Sequence, residues 1–367
     1  MKYDYLIVGA GIYGSVFAEK MQKAKKKCWL IEKRNHIAGN CYTSKFENID
    51  VHVYGPHIFH TDKKQIWDYV NSFSEFNSYR HSIKACYENK IYSFPINLMT
   101  LNQIWGISTP KDAQKKLEQV RYKIKNPKNM EEWCLSQIGE ELYEIFIKGY
   151  STKQWGKSPR ELPISIIKRI PIYLNFNDNY YENDSYQGIP IDGYTQMISN
   201  MLDGTKVDVC LDFCDIKNNW KDYAEKLVYC GPIDQFFDYE FGKLDYRSLS
   251  WRTEVKEGDH QGCSIINHTD LNNEFTRVIE HKHFNFKSQN SSVLTYEYPN
   301  SCSDQNEPYY PINNDINNKK YQKYKNVLEN QKDIIVSGRL GKYKYLDMDD
   351  CISLAFKDIE KELSFLP

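Results

Sequence analysis

Short, wholly apolar runs alternate with stretches of helical period near both ends of the chain, while the middle mixes helical and alternating patterns. Tyr5-Leu6-Ile7-Val8 is an unbroken apolar run, the pattern of a strand buried on both faces. A helical stretch follows to about Lys23, and Cys28-Trp29-Leu30-Ile31 repeats the first run before ending at Glu32. Residues from about 63 to 160 read as helical: Ile66, Tyr69 and Val70 share one face, as do Leu117, Val120 and Ile124. Glu140 to Ile147 predicts a further helix that ends at Gly149. From about 170 to 190 the text loosens into aromatic, Asn-rich and Pro-flanked segments. Residues 194–202 predict a helix, and Lys226-Leu227-Val228-Tyr229 a buried strand before Gly231-Pro232. Strand patterns dominate from about 245 to 300, in Ser264-Ile265-Ile266, Phe275 to Ile279 and Val293 to Tyr298. Asn and Asp crowd 300–317, which reads as a loop. Asp333-Ile334-Ile335-Val336 predicts another strand, and a helix from about Asp349 carries Ile352, Phe356, Ile359 and Leu363 on one stripe.

The first strand leads into Gly9-Ala10-Gly11-Ile12-Tyr13-Gly14, and the second strand ends on Glu32. Strand, glycine turn, helix, strand and acid stand in the order of a βαβ dinucleotide-binding unit. Gly9 permits the tight turn, Gly11 lets the backbone approach a pyrophosphate, and Gly14 lets helix and strand pack closely. The helix N-terminus offers free N–H groups to phosphate, and Glu32 is placed to accept ribose hydroxyls. Beyond the acid, Lys33-Arg34-Asn35-His36-Ile37-Ala38-Gly39-Asn40 makes a second glycine turn of the kind seen in FAD-binding oxidoreductase-like proteins. That favours FAD over NAD alone, with Lys33 and Asn40 as cofactor contacts. Gly338 and Arg339, with Tyr345, Asp347 and Met348 opening the last helix, fit the flavin end of the same cofactor. A helix N-terminus there stabilises negative charge on a reduced ring.

The fold class expected is α/β: a Rossmann-like FAD-binding domain with a helical-bundle insert and an antiparallel β-sheet domain. The boundaries read as 1–78, 192–243 and 318–367 for the cofactor domain. The helical domain with a mobile lid spans 79–165, and the antiparallel-sheet substrate domain 166–191 plus 244–317.

Composition adds constraints rather than an identity. The 367 residues carry a formal net charge of −1, so no broad basic surface for nucleic acid is expected, and any anion site is expected to be a local cluster of arginines. Aromatic residues make up 14%, including 29 tyrosines, which suits a wet pocket for sugars or nucleotides. The ten cysteines lack metal-ligand spacing and read as reduced, buried small hydrophobes. No apolar run reaches membrane-spanning length and no leader pattern precedes Tyr5, so a cytoplasmic protein is expected.

Several longer stretches together resemble one family, the UDP-galactopyranose mutases. They include Tyr54-Gly55-Pro56-His57-Ile58-Phe59-His60-Thr61, Lys148-Gly149-Tyr150-Ser151-Thr152-Lys153-Gln154-Trp155-Gly156, and Ile167-Lys168-Arg169-Ile170-Pro171. Further on come Tyr186-Gln187-Gly188-Ile189-Pro190, Gly231-Pro232-Ile233-Asp234, Thr276-Arg277-Val278-Ile279-Glu280-His281-Lys282-His283-Phe284, Glu307-Pro308-Tyr309-Tyr310-Pro311 and Tyr343-Lys344-Tyr345-Leu346-Asp347-Met348. The resemblance spans nearly the whole chain. It implies ring contraction of UDP-galactopyranose to UDP-galactofuranose for cell-surface glycan synthesis. In that chemistry N5 of reduced FAD bonds to the anomeric carbon as an iminium adduct, without net redox change. A cofactor that serves as nucleophile requires no catalytic Ser/His/Asp or Cys/His set.

By the same resemblance Arg169 and Arg277 hold the diphosphate, with Tyr310 and Tyr345 beside it and Tyr180 in the sugar cleft. Phe146, Tyr150 and Trp155 lie near the uracil, Trp155 in the lid, with Gly149 and Gly156 as candidate hinges. His57 and His60 face the flavin, where either is able to donate a hydrogen bond; no third ligand makes them a metal pair. The family suggests a homodimer. His81 departs from the family's Asn, and as a bulkier, chargeable side chain near the sugar it opens the alternatives UDP-N-acetylgalactosamine and UDP-arabinopyranose. An FAD-dependent oxidoreductase is the remaining alternative.

Overall fold

The computed structural model describes residues 2–168, 170–285, 290–303 and 305–364. Within them the strands are β1 (Tyr3–Val8), β2 (Cys28–Glu32), β3 (Thr43–Phe46), β4 (Ile49–His52), β5 (Phe59–Thr61), β6 (Ile83–Tyr87), β7 (Lys90–Phe94) and β8 (Tyr186–Gly188). They continue with β9 (Lys206–Val209), β10 (Ala224–Tyr229), β11 (Tyr246–Glu257), β12 (Ile265–His268), β13 (Arg277–Glu280), β14 (Ser291–Ser301), β15 (Tyr310–Pro311) and β16 (Ile334–Val336).

Five of these form a parallel sheet in the order β16-β10-β1-β2-β9. The inner stretches of β1, β2 and β10 are apolar because both faces are covered, whereas the edge strand β9 carries Lys206 and Asp208. Leu6, Ile31 and Leu227 bury into one cluster, and Ile7, Leu30 and Val228 into the other, all fully inaccessible. The helix Ile12–Lys23 crosses from β1 to β2, while β10 and β16 lie on the other side of β1. Strand order therefore reverses at β1, and the crevice beyond its carboxyl end is where such sheets take ligands.

A second, seven-stranded sheet runs β15-β11-β14-β13-β12-β6-β7. It is antiparallel except for one parallel step, β12 to β6. Two-stranded pieces, β3-β4 and β5-β8, complete the sheets. The architecture is thus α/β, a Rossmann-like layer joined to helices and to a largely antiparallel sheet.

Several expected elements are corrected. The stretch 63–160 is not helical throughout: β6 and β7 form a hairpin inside it, turning at Glu88 and Asn89, both with positive φ (48° and 62°). Two successive residues in that region make the tight turn that matches strand twist. The helix Pro110–Val120 ends before Ile124. The helical stretch expected from Glu140 starts at Met130 instead and bends at Gly139 (φ 77°, ψ 177°). It does not end at Gly149 either, passing through a wide turn, Glu144–Lys148, into the helix Gly149–Trp155. The segment 300–317 is less of a loop than expected, since β15 lies within it and the helix Asp315–Leu328 begins there. On the last helix, Met348–Ser364, Ile352 and Ile359 are buried, but Leu363 is exposed and Glu362 takes the inner position. Its carboxylate accepts from Tyr5 Oη (3.1 Å) and pairs with Lys226 Nζ (2.6 Å), which offsets the burial of the charge. No helix of the described residues is long and apolar enough to cross a membrane.

Candidate active site

The glycine turn after β1 opens one end of a cavity of about 900 Å³. Gly9 has φ 106°, and its N–H donates to Ile31 O at 2.8 Å, closing the turn over the end of β2. A Cβ on Gly14 would fall well inside van der Waals contact distance of the Gly9 carbonyl oxygen, so only glycine lets the helix sit this low. The second glycine turn packs on the first: a Cβ on Gly39 would lie 3.0 Å from Gly11 Cα. Gly11 precedes the helix Ile12–Lys23 with no side-chain cap, leaving helix N–H groups for an anion. Glu32 is buried; its Oε2 accepts from Ala10 N (2.9 Å) and its Oε1 from Arg34 N (3.0 Å), so it knits the two turns together. Its remaining lone pairs suit ribose hydroxyls. Backbone close to backbone, an uncapped helix start and a carboxylate in one cavity fit a dinucleotide.

Lys33, Asn40, Gly338, Arg339, Tyr345, Asp347 and Met348 line the same cavity. Asn40 Oδ1 accepts from Arg34 Nη1 (3.1 Å), and Lys33 Nζ lies 2.8 Å from Glu307. Gly338, at φ 75°, lies against Tyr13 and Cys230.

Arg277, on β13, marks the other compartment. β14 places Glu297 directly opposite it in register. Arg277 Nε donates to Glu297 Oε1 (3.0 Å), which also accepts from Thr276 Oγ1 (2.8 Å), and Arg277 Nη2 donates to Tyr150 Oη (3.1 Å). Burial is the largest single influence and would lower the guanidinium's pKa, but the Glu297 carboxylate, itself only 1% exposed, together with Tyr150, Tyr310 and Tyr180, holds Arg277 above its ordinary value. Tyr310 lies near-parallel to Tyr345 at 5.9 Å and 6.4 Å from Trp155.

Tyr150 and Trp155 ride on the helix Gly149–Trp155, which is fastened to the large sheet. Lys153 Nζ donates to His268 O, Asn273 O and Phe275 O at 2.8–3.0 Å. Arg247 donates to Gln154 O (2.9 Å) and Lys153 O (3.3 Å), capping carbonyls at the helix end. Gly149 has helical backbone, and a Cβ there would overlap Thr269 O, so close packing explains it without a hinge. Gly156 ends the helix in the left-handed region. Phe146 is fully buried, packed on Phe94 and Tyr92, and reaches the cavity from below.

The histidines correct two expectations. His57 Nδ1 stands 2.8 Å from Gly55 O, so the ring proton sits there and Nε2 is left as an acceptor, not a donor. Burial lowers its pKa to about 4. His81 is buried and held neutral: burial first, then Arg277 and His60, push it down to about 3, so it is not a charge at neutral pH. It packs face to face with Tyr181 (5.4 Å) and against Tyr180 (5.3 Å). His60 Nδ1 meets Asp184 Oδ2 at 2.6 Å and its ring stacks on Tyr181 at 3.6 Å. Tyr180, His57, His60 and His81 all line the cavity; Arg80 is exposed. Arg169 lies outside the described residues.

Sequence reasoning missed Glu297, Glu307 and Asp184. Only the alternation of β14, which puts a glutamate among inward-facing residues, hinted at the first. Cys28, Cys41, Cys86 and Cys134 are buried as expected, but Cys210 and Cys214 are exposed and Cys230, Cys263, Cys302 and Cys351 are only partly buried. Asp259, Glu280 and His283 come within metal-ligand distance of one another. Glu280, however, already accepts from the backbone of His260 and Gln261, and Lys282 Nζ stands 3.7 Å away.

A family model described as UDP-galactopyranose mutase matches residues 145–345, and one described as an NAD(P)-binding Rossmann-like domain matches 7–73. A probable UDP-galactopyranose mutase of Klebsiella pneumoniae is 40% identical, over 98% of this chain and 95% of its own. A dTDP-fucopyranose mutase of Escherichia coli is 38% identical, over 96% of each chain. Among solved structures, a reduced UDP-galactopyranose mutase matches 100% of this chain and 96% of its own, with TM-score 0.78 at 15% identity.

Proposed function

This chain belongs to the UDP-galactopyranose mutase family, and from that premise we propose that it interconverts UDP-galactopyranose and UDP-galactofuranose, with FAD in its reduced form as cofactor. The reading rests above all on one observation: a single cavity joins the glycine cradle to Arg277 and its tyrosines. A reduced flavin supplies an electron-rich ring nitrogen that makes and releases a bond to carbon with no net redox change.

The chain's own residues bind, orient and shield. Gly11, Gly14 and the uncapped helix start hold the cofactor's pyrophosphate, and Glu32 holds its ribose. Arg277, fixed in plane by Glu297, retains the substrate diphosphate while it is detached from the sugar, and Tyr310 and Tyr345 donate hydroxyls to it. Arg169 is assigned as the second guanidinium. Tyr150 and Trp155 face the base, on a helix that keeps water out. His57, with Nε2 free to accept, would be able to take a hydrogen bond from an N–H group of the bound cofactor. His60, His81 and Tyr180 wall the sugar end.

The test is purified protein with UDP-galactopyranose under dithionite, followed by product NMR. Furanose product with the flavin recovered reduced is expected. No isomerisation of any nucleotide sugar, or substrate-driven bleaching with stoichiometric oxidised product, overturns the proposal. A second reading, the same chemistry on another nucleotide sugar, draws support from His81 at the sugar end and from the fucopyranose mutase relative. A substrate panel including UDP-N-acetylgalactosamine, UDP-arabinopyranose and dTDP-fucopyranose separates the two.

A further inference from the structure

The two compartments of the cavity are built by different sheets, and Glu307 reaches from one to the other. It stands just before Pro308-Tyr309-Tyr310, and Tyr310 opens β15 at the edge of the large sheet, paired with Arg247. Its carboxylate crosses to the end of β2. There Oε1 lies 2.8 Å from Lys33 Nζ, and Oε2 lies 3.1 Å from the same atom and 3.5 Å from Arg34 Nη2.

Both ends of this bridge are held. Arg34 lies over the Tyr54 ring (4.5 Å), donates to Asn40 Oδ1, and through its backbone N–H donates to Glu32 Oε1. On the other side, the Glu307 carbonyl accepts from the fully buried Ser248 hydroxyl (2.7 Å), and Tyr309 N–H donates to Arg247 O (2.9 Å). One extended stretch therefore grips the glycine-turn loop with its head and carries the Tyr310 ring with its tail. Burial would raise the Glu307 carboxyl, but Lys33 and Arg34 bring it below its ordinary range.

An exposed ion pair alone contributes little, and Lys33 is half exposed. Arg34 changes that balance, because it is only 16% exposed and its other contacts already fix its geometry. A network with one immobilised member loses less entropy on closing than an isolated surface pair.

We infer that Glu307 is a positioning residue that couples the dinucleotide cradle to the tyrosine wall, so that affinity for the nucleoside diphosphate of the substrate depends on its contact with Lys33 and Arg34. The inference rests on the proposed reading of Tyr310 as a diphosphate contact. It is tested by titrating UDP calorimetrically into flavin-loaded wild type, Glu307→Gln, Lys33→Met and the double variant, with the flavin-to-chain ratio measured for each. Glu307→Gln preserves shape and removes charge. Each single change should raise the Kd for UDP about three- to tenfold, and the double change no more than the larger single one. The Glu307→Gln effect should shrink at high salt, which a merely structural role would not do. The inference is overturned by wild-type affinity in Glu307→Gln, by effects that multiply in the double variant, or by weakening that only tracks flavin loss. Failure of wild type to bind UDP strikes the functional proposal instead.

Discussion

Arg277→Ala separates the two tasks of one guanidinium, and the structure sets a size for each. The first task is structural. Glu297 is 1% exposed, and its Oε1 accepts from Arg277 Nε at 3.0 Å and from Thr276 Oγ1 at 2.8 Å. Removing the cation leaves a buried carboxylate with its counter-charge gone, a change that costs about 3–5 kcal/mol. At roughly 1.3 °C per kcal/mol for a chain of 367 residues, Tm should fall by about 4–7 °C. The second task is binding. Loss of even one or two charge-assisted hydrogen bonds to a diphosphate, about 1.5–3 kcal/mol each, should weaken UDP by about 100-fold. Adding Glu297→Gln removes the orphaned charge and should restore most of the lost Tm while leaving UDP binding poor. The assays are thermal unfolding and calorimetry on flavin-loaded protein, and turnover should be crippled with the flavin still bound. An unchanged Tm in Arg277→Ala would refute the structural half. Recovery of UDP affinity in the double variant, or loss of flavin from the single one, would refute the binding half.

Two further outcomes follow from the same geometry. Gly14→Ala drives a methyl group into the Gly9 carbonyl, so the helix must lift off the turn; flavin per chain should fall more than tenfold while circular dichroism stays native, and a fully loaded variant would show the cradle does not hold the cofactor. His57, His81, His268 and His281 are held neutral by burial, with folded pKa values of about 4, 3, 4 and 3. Unfolded histidine titrates near 6.5, so unfolding takes up protons between about pH 6.5 and 3, and the stability these rings contribute falls as pH drops through that window and is constant above it. Each ring contributes at most ~1.4 kcal/mol per pH unit, and His81→Asn should remove about one proton from the uptake read from Tm against pH near pH 5. An unchanged slope means that His81 is already charged or accessible.

How far the sequence speaks for itself depends on where a residue's partners are. The parallel strands are readable because the runs 5–7, 28–31 and 227–229 are buried and so carry apolar side chains. The cradle is readable because Gly9, Gly14 and Glu32 constrain one another within a single βαβ unit. The β6-β7 hairpin is not, since its deciding signal is the two-residue turn at Glu88-Asn89 and its β7 strand lies at the sheet edge, half exposed, among helical patterns. Glu297 is harder still: it meets Arg277 only because antiparallel register sets β14 beside β13. The protonation state of His81 is a property of burial and of two neighbours, Arg277 and His60, drawn from different strands. The cofactor end of the cavity is therefore written in local spacing and the substrate end in cross-strand register. This is why motif resemblance names Arg277 but not the carboxylate that fixes it, and why Glu307, which touches both ends, is visible only in the fold.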